Sequence, residues 1–292
     1  MERTNINPTP YKISTITATG GGFSIIDLVK LFDGIECMDH TLMQEGILYV
    51  EYGEKRCVAA SKGYHKKLKK RPIITKRFDN QMTMVMRVFD TQLDQLCDIN
   101  CKVFRNGNIQ MTGLKYINQG QNILNKLVEL IPKHLLQNQA LMDENNANNK
   151  MNYKIQLINC DFRVGCELRR DKICKYIQSF NDMFCNFEPC VYPGVKIQYF
   201  FNNSNKKEGV CSCTGKCNGK GKGLGEGDCK KITIAVFQSG CIIITGGQSI
   251  EQVDATYNFI CNLIDNNFVL FKGVNRILAI GDNQDASTLV TA

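Results

Sequence analysis

The 292-residue sequence offers little on which catalysis could be built. Its three histidines, His40, His65 and His134, are scattered, and none has a cysteine or carboxylate arrangement beside it that suggests a nucleophile or a metal triad. The glycine-rich run from Gly219 to Gly227 lacks the Gly-Lys-Ser/Thr ending of a phosphate-binding loop and does not open a helix. No enzymatic activity is expected. Membrane signals are missing too: no segment approaches the roughly 20 apolar residues of a spanning helix, and Met1 to Pro10 lack the apolar stretch of a signal peptide. The expectation is a soluble, intracellular, non-secreted chain with no membrane partner. In a reducing compartment its fifteen cysteines read as thiols, many of them core residues, rather than as disulfides.

What the chain does have is an internal repeat. VFRNGNIQMTG (103–113) returns as VFQSGCIIITG (236–246), an offset of 133 residues (Val103 against Val236). Each copy precedes apolar residues at helical spacing, over 117–131 and 250–264, so each reads strand, turn, strand, helix. Asn106-Gly107 is a favoured tight-hairpin pair, and Ser239-Gly240 is its weaker counterpart. Upstream, Tyr11-Lys12-Ile13 and Tyr153-Lys154-Ile155 open each half, with helical segments following near 25–32 and 170–180. The expected organisation is a first lobe over 1–136, an Asn-rich linker over 137–152, a second lobe over 153–270 with an insertion at 202–230, and a tail over 271–292.

Strand alternation separates two faces. In the second copy Ile232, Ile234, Val236, Ile242 and Ile244 form a core face, whereas Thr233, Ala235, Phe237, Ile243 and Thr245 form an open one too apolar for ordinary solvation. In the first copy Val103, Ile109 and Met111 face the core, and Lys102, Phe104, Gln110 and Thr112 face outward. The net charge is +8, with Lys62, Lys66, Lys67, Lys69, Lys70, Arg71, Lys76 and Arg77 crowded into one stretch. Phosphate contact, a solvated loop and a localisation signal all remain open for that stretch.

The F-x-S-G-x-x-x-x-T-G pattern, the opener Tyr153-Lys154-Ile155-Gln156, and Glu188-Pro189 with Tyr192-Pro193-Gly194 resemble the second repeat of the TATA-box-binding protein family. Tyr11-Lys12-Ile13-Ser14-Thr15 through Phe104 to Thr112-Gly113 follows the first repeat in register, and the insertions are similar to those of divergent relatives in large DNA viruses. The resemblance covers roughly residues 10 to 265. It implies an α+β fold: two pseudo-symmetric lobes forming a curved antiparallel sheet, a saddle, with helices on the convex face and the DNA minor groove against the concave one. It also implies ring wedges at Phe104 and Phe237, with Tyr192 as the partner of Phe237. The first lobe's partner is either Phe78 or, by strict register, Gln81. The groove floor is implied at Ile243 and Thr245, and at Gln110 and Thr112. Ile13 is placed among the DNA-contacting residues, the family's central Asn pair falls on Tyr11 and Leu157, and Asn159 could take over a base-edge hydrogen bond. The implied partners are double-stranded DNA, a transcription factor B-like protein and RNA polymerase, at a nuclear or cytoplasmic viral transcription site.

The insertion carries Cys211, Cys213, Cys217 and Cys229 amid Gly and Lys. No cofactor is required, but four thiolates could hold a structural zinc; their C-x-C-x3-C-x11-C spacing is not that of paired C-x2-C knuckles, and a flexible loop with incidental thiols is the competing possibility. Three functions are open: an initiation factor that binds and bends A·T-rich promoter DNA, an architectural DNA-packaging protein with little sequence preference, and a protein-interaction module that kept the fold but lost DNA binding.

Overall fold

The computed structural model describes residues 6–21, 25–52, 57–60, 80–131, 151–180 and 182–273. The strands are β1 (Lys12–Gly21), β2 (Gly46–Tyr52), β3 (Cys57–Ala60), β4 (Gln81–Asp90), β5 (Gln95–Phe104), β6 (Asn108–Leu114), β7 (Lys154–Arg163), β8 (Cys185–Asn186), β9 (Val195–Phe201), β10 (Lys230–Val236) and β11 (Cys241–Gly247). The helices are α1 (Leu28–Gly34), α2 (Gln119–Leu130), α3 (Arg170–Phe180), α4 (Ile250–Asn266) and α5 (Phe268–Phe271). All the strands join one sheet in the order β3-β2-β4-β5-β6-β1-β7-β11-β10-β9-β8. The ten strands from β2 to β8 read as two mirrored sets of five, and β3 is an extra edge strand on lobe one.

The repeat becomes a pseudo-dyad in the strand register. Ile16 pairs with Ile158 at the junction of β1 and β7, and the flanking pairs Thr15·Asn159 and Thr17·Leu157 exchange under an offset of 142 residues. The outer pairings obey the offset of 133: Lys102·Gln110 answers Ala235·Ile243. Matched irregularities follow the same symmetry. The β1–β7 register slips at Ser14 and again at Gln156, and the slips at Gly113 and Gly246 are also related. Gly113 and Gly246 have φ of 94° and 112°, a backbone that side-chain-bearing residues rarely adopt, which is what the Thr-Gly ending of each repeat supplies. Bulges at matched places bend both halves of a sheet the same way.

The hairpins match as well. Gly107 and Gly240, at φ 80° and 75°, donate their N–H to the carbonyls of Phe104 and Phe237 at 3.0 and 3.1 Å. The helices occur where the apolar spacing places them, and α3 covers the predicted 170–180. Asp27 accepts the Val29 and Lys30 amides to cap α1, and Ser249 accepts that of Gln252 to cap α4.

The core-facing strand residues share one buried cluster with the helices. In lobe one Met82, Met84, Met86, Ile99, Cys101, Val103, Ile109 and Met111 pack with Ile123, Leu124 and Leu127 of α2. In lobe two Ile158, Cys160, Ile197, Ile232, Ile234, Ile242 and Ile244 pack with Ile173, Ile177, Val253, Ile260 and Ile264. Lobe two also extends further than expected. Phe271 is fully buried against Tyr176, and Gly273 N–H bonds the Glu167 carbonyl at 2.7 Å, so part of the expected tail belongs to the lobe. The expected linker, apart from Met151 and Asn152, and the lysine-rich stretch at 62–77 lie outside the described residues.

Candidate nucleic-acid interface

The face opposite the helices is organised as rows that run across the sheet. In lobe two, Gln198, Thr233, Thr245, Asn159 and Thr15 stand side by side on β9, β10, β11, β7 and β1. The dyad carries this row onto Val85, Asn100, Thr112, Thr17 and Leu157. Outside it lies a second pair of rows: Lys196, Ala235, Ile243, Asp161 and Lys12 in lobe two, and Thr83, Lys102, Gln110, Thr19 and Lys154 in lobe one. All of these are partly buried or exposed except Ala235, which is buried at 6% exposure.

Phe104 and Phe237 stand at dyad-related corners of this face. Their sequence neighbours Val103 and Val236 are fully buried, so alternation turns both rings away from the helices, and both remain partly exposed. Tyr192 meets Phe237 edge to face, with centroids 5.8 Å apart, and Lys196 Nζ lies 4.3 Å from the Tyr192 ring centroid. The pair sits tightly over Gly194, where a Cβ would come within 2.8 Å of Tyr192 and 3.1 Å of Phe237. Arg170, at the start of α3, ties the two loops together: its guanidinium donates to the Pro193 carbonyl and, at 3.0 Å, to Gln238 Oε1, while stacking 4.9 Å from the Phe187 centroid. Sequence inspection passed over Arg170, because nothing in its local pattern places it beside residues 23 and 68 positions away.

The first-lobe corner is built differently. Gln81 pairs with Phe104, and Ile25, Asn80, Arg105 and Asn106 complete a shallow pocket of about 350 Å³ around that ring. Ile25 is 75% exposed. Phe78 lies outside the described residues.

Two expected contacts are placed elsewhere. Ile13 packs against the hydrophobic core, because the slip at Ser14 inverts the alternation along β1; it pairs with the inward Cys160. Tyr11 is on the same side: its hydroxyl donates to Asp254 of α4 at 2.7 Å, and its ring lies edge to face with Tyr257. Burial and the Asp254 carboxylate together push its hydroxyl well above the usual phenol range. The dyad mate of Leu157 is therefore Thr15, and Thr15 and Thr17 take the central positions on β1. Gln110, Thr112, Leu157, Asn159, Ile243 and Thr245 are on the open face as expected. Asn159 is distinctive: its Oδ1 is buried without a hydrogen-bond partner.

The charge on this face is mostly positive. Lys12, Lys154, Lys196 and Lys231 are exposed, and Lys102 is partly so. Among the described residues, the acids on the same side include Asp161, Glu51, bonded by the Tyr49 hydroxyl, and Asp98, held by Arg87 at 2.7 Å. In the insertion between β9 and β10, the sulfurs of Cys211, Cys213, Cys217 and Cys229 all come within 4.8 Å of one another.

Residues 152–267 match the family model described as transcription factor TFIID (or TATA-binding protein, TBP). This chain resembles the TATA-box-binding protein family. The match falls on lobe two, and the pseudo-dyad extends the same architecture to lobe one. A protein of Acanthamoeba polyphaga mimivirus described as TATA-box-binding protein-like is 29% identical over 278 residues, 91% of this chain and 68% of the relative. Among solved structures, Methanococcus jannaschii TBP aligns with a TM-score of 0.47 and 15% identity, over 88% of this chain and 99% of that one. The expected fold class, two related lobes in an open antiparallel sheet with helices on one face, is the one observed. Among the described residues no helix is long and apolar enough to cross a membrane.

Proposed function

We propose that the open face binds the minor groove of duplex DNA and bends it, as a transcription initiation factor acting on A·T-rich promoters at a nuclear or cytoplasmic viral transcription site. The observation that carries this is the pair of partly exposed rings at dyad-related corners, Phe104 and Phe237 backed by Tyr192. Apolar rings at the two ends of a sheet can wedge between base steps, while threonines and aliphatic side chains line the floor between them. Lysines of the outer rows and Lys231 stand where flanking phosphates would run.

The two lobes would read DNA unequally. Minor-groove edges of A·T and T·A offer only acceptors, whereas G·C adds the guanine N2 donor. Ile243 and Ala235 offer that donor nothing, so a G·C pair seated directly on these two side chains would leave a buried group unpaired. Gln110 can accept from it, so lobe one discriminates less. Asn159 Oδ1 is buried, and the amide nitrogen is the group of this side chain that can donate to a base acceptor. The recruitment of a transcription factor B-like protein and RNA polymerase belongs to this proposal through the family resemblance alone.

A second function, packaging with little sequence preference, draws support from Lys102 standing beside Gln110 in the lobe-one row. Titrating A·T-rich and G·C-rich duplexes at two salt concentrations separates the two. A marked A·T preference with bending supports the initiation factor; equal, salt-sensitive affinities support packaging; no binding at low salt refutes both.

A further inference from the structure

We propose that Cys211, Cys213, Cys217 and Cys229 bind one Zn²⁺ in a tetrahedral tetrathiolate site, and that this ion holds the 202–229 insertion in place beside α4.

The sulfur geometry fits this ion. A Zn–S distance of about 2.3 Å sets tetrahedral sulfurs about 3.8 Å apart. Cys229 Sγ lies 3.5 Å from Cys213 Sγ and 3.6 Å from Cys211 Sγ, and all four sulfurs fall within a 4.8 Å cluster. These separations far exceed the roughly 2.05 Å of a disulfide bond, so the four sulfurs converge without being joined in pairs. Amide donors already point at the cluster: Gly227 N–H reaches Cys213 Sγ at 3.2 Å, and Asn202 Nδ2 reaches Cys229 Sγ at 3.3 Å. Such bonds stabilise thiolates and orient metal ligands.

The surrounding chain needs such a fastening. Between Asn202 and Cys229 the only aliphatic side chains larger than alanine are Val210 and Leu224, and Leu224 is 73% exposed. The insertion nonetheless has a defined path. Gln252 Nε2 in the first turn of α4 donates to the Lys222 carbonyl at 2.9 Å, Lys231 N–H bonds the Gly219 carbonyl at 2.9 Å, and Asn202 Nδ2 bonds the Gly225 carbonyl at 2.6 Å. Cys229 immediately precedes β10 and is fully buried, so the cluster is anchored to the sheet. On binding, each thiol loses its proton to solvent and the sulfur donates an electron pair to zinc. The resulting site carries two negative charges, in a loop that also holds Lys216, Lys220 and Lys222. A tetrahedral four-sulfur set suits zinc or iron, and the test below separates the two.

The test is elemental analysis of the full chain, purified without a polyhistidine tag and without added metal. One zinc per chain is expected. Less than a tenth of an equivalent, or iron in its place, overturns the proposal. Cys217→Ser should lower zinc content, and Cys190→Ser, an exposed cysteine outside the cluster, should leave it unchanged; equal zinc in both variants also overturns it. Since a cysteine variant could misfold, hydrogen exchange on the unmutated protein supplies a second measurement. Adding a strong chelator should raise exchange across 202–229 at least tenfold while Ile232–Val236 stays protected; no change, with zinc verified as removed, refutes the fastening role.

Discussion

Phe237 is the residue on which the proposed wedge depends most, and Phe237→Ala measures it. A phenylalanine buries on the order of 200 Å² when fully enclosed, and the partly buried Phe237 ring has on the order of 50 Å² left to lose to a ligand. At about 25 cal/mol per Å² that is roughly 1.3 kcal/mol, or about a tenfold rise in Kd for a bent A·T-rich duplex. The bend itself should fall more sharply, because the unstacked step has no other filler at that corner than Tyr192. The assay is end-to-end energy transfer on a doubly labelled duplex, run beside a binding titration, with Lys231→Ala as the control. Loss of one phosphate contact should flatten the slope of log K against log salt by about one and leave the bent state intact at saturation. An unaltered bend in Phe237→Ala at saturation, or the same change in salt slope for both variants, would refute wedge insertion.

Three further expectations follow from neighbouring geometry. Arg170→Ala should release the Tyr192 loop from the Phe237 hairpin, cutting the bend while the salt slope stays unchanged, since the guanidinium is engaged by Pro193, Gln238 and Phe187. Ile243→Gln should reduce A·T over G·C preference for base pairs beneath lobe two by about 1–2 kcal/mol, by supplying the acceptor that guanine N2 lacks there; selection from a randomised duplex pool checks this. Asp90, 7% exposed, suffers from burial, but four donors outweigh that penalty: the amides of Leu93 and Gln92, the Tyr116 hydroxyl and Gln119 Nε2, at 2.7 to 3.0 Å. The net effect lowers its pKa. A carboxylate with a folded value below its unfolded one of about 3.9 stabilises the fold above that pH and loses the contribution as pH falls through the lower value. Acid unfolding should therefore steepen below about pH 4, and Asp90→Ala should cost about 3 kcal/mol at neutral pH while flattening that acid limb; denaturant melts across pH decide it.

The second lobe was legible in the sequence because its strands alternate cleanly and its helix is amphipathic, so Ile232 to Ile244 announce their face. The first lobe was less so. The outer strands β2 and β3 lie outside the sequence repeat, and Ile47 to Val50 is a short apolar run that periodicity cannot orient. Ile13 and Tyr11 were misplaced for a definite reason: a bulge at Ser14 reverses the faces, and a single-residue slip has no signature in a pattern of period two. The cysteine cluster was ambiguous because ligand spacing says little when the loop between Cys217 and Cys229 can fold back freely. Arg170 could not be found at all, since its role exists only where three loops meet.

The central claim is that DNA is held by its minor groove. Methylation interference addresses this directly: an A·T-rich duplex lightly alkylated at adenine N3, in the minor groove, and at guanine N7, in the major groove, is partitioned into bound and free fractions. Exclusion of N3-modified adenines from the bound fraction, with N7-modified guanines tolerated, is the predicted result. Exclusion of N7-modified guanines instead, or no exclusion at either atom, would contradict it.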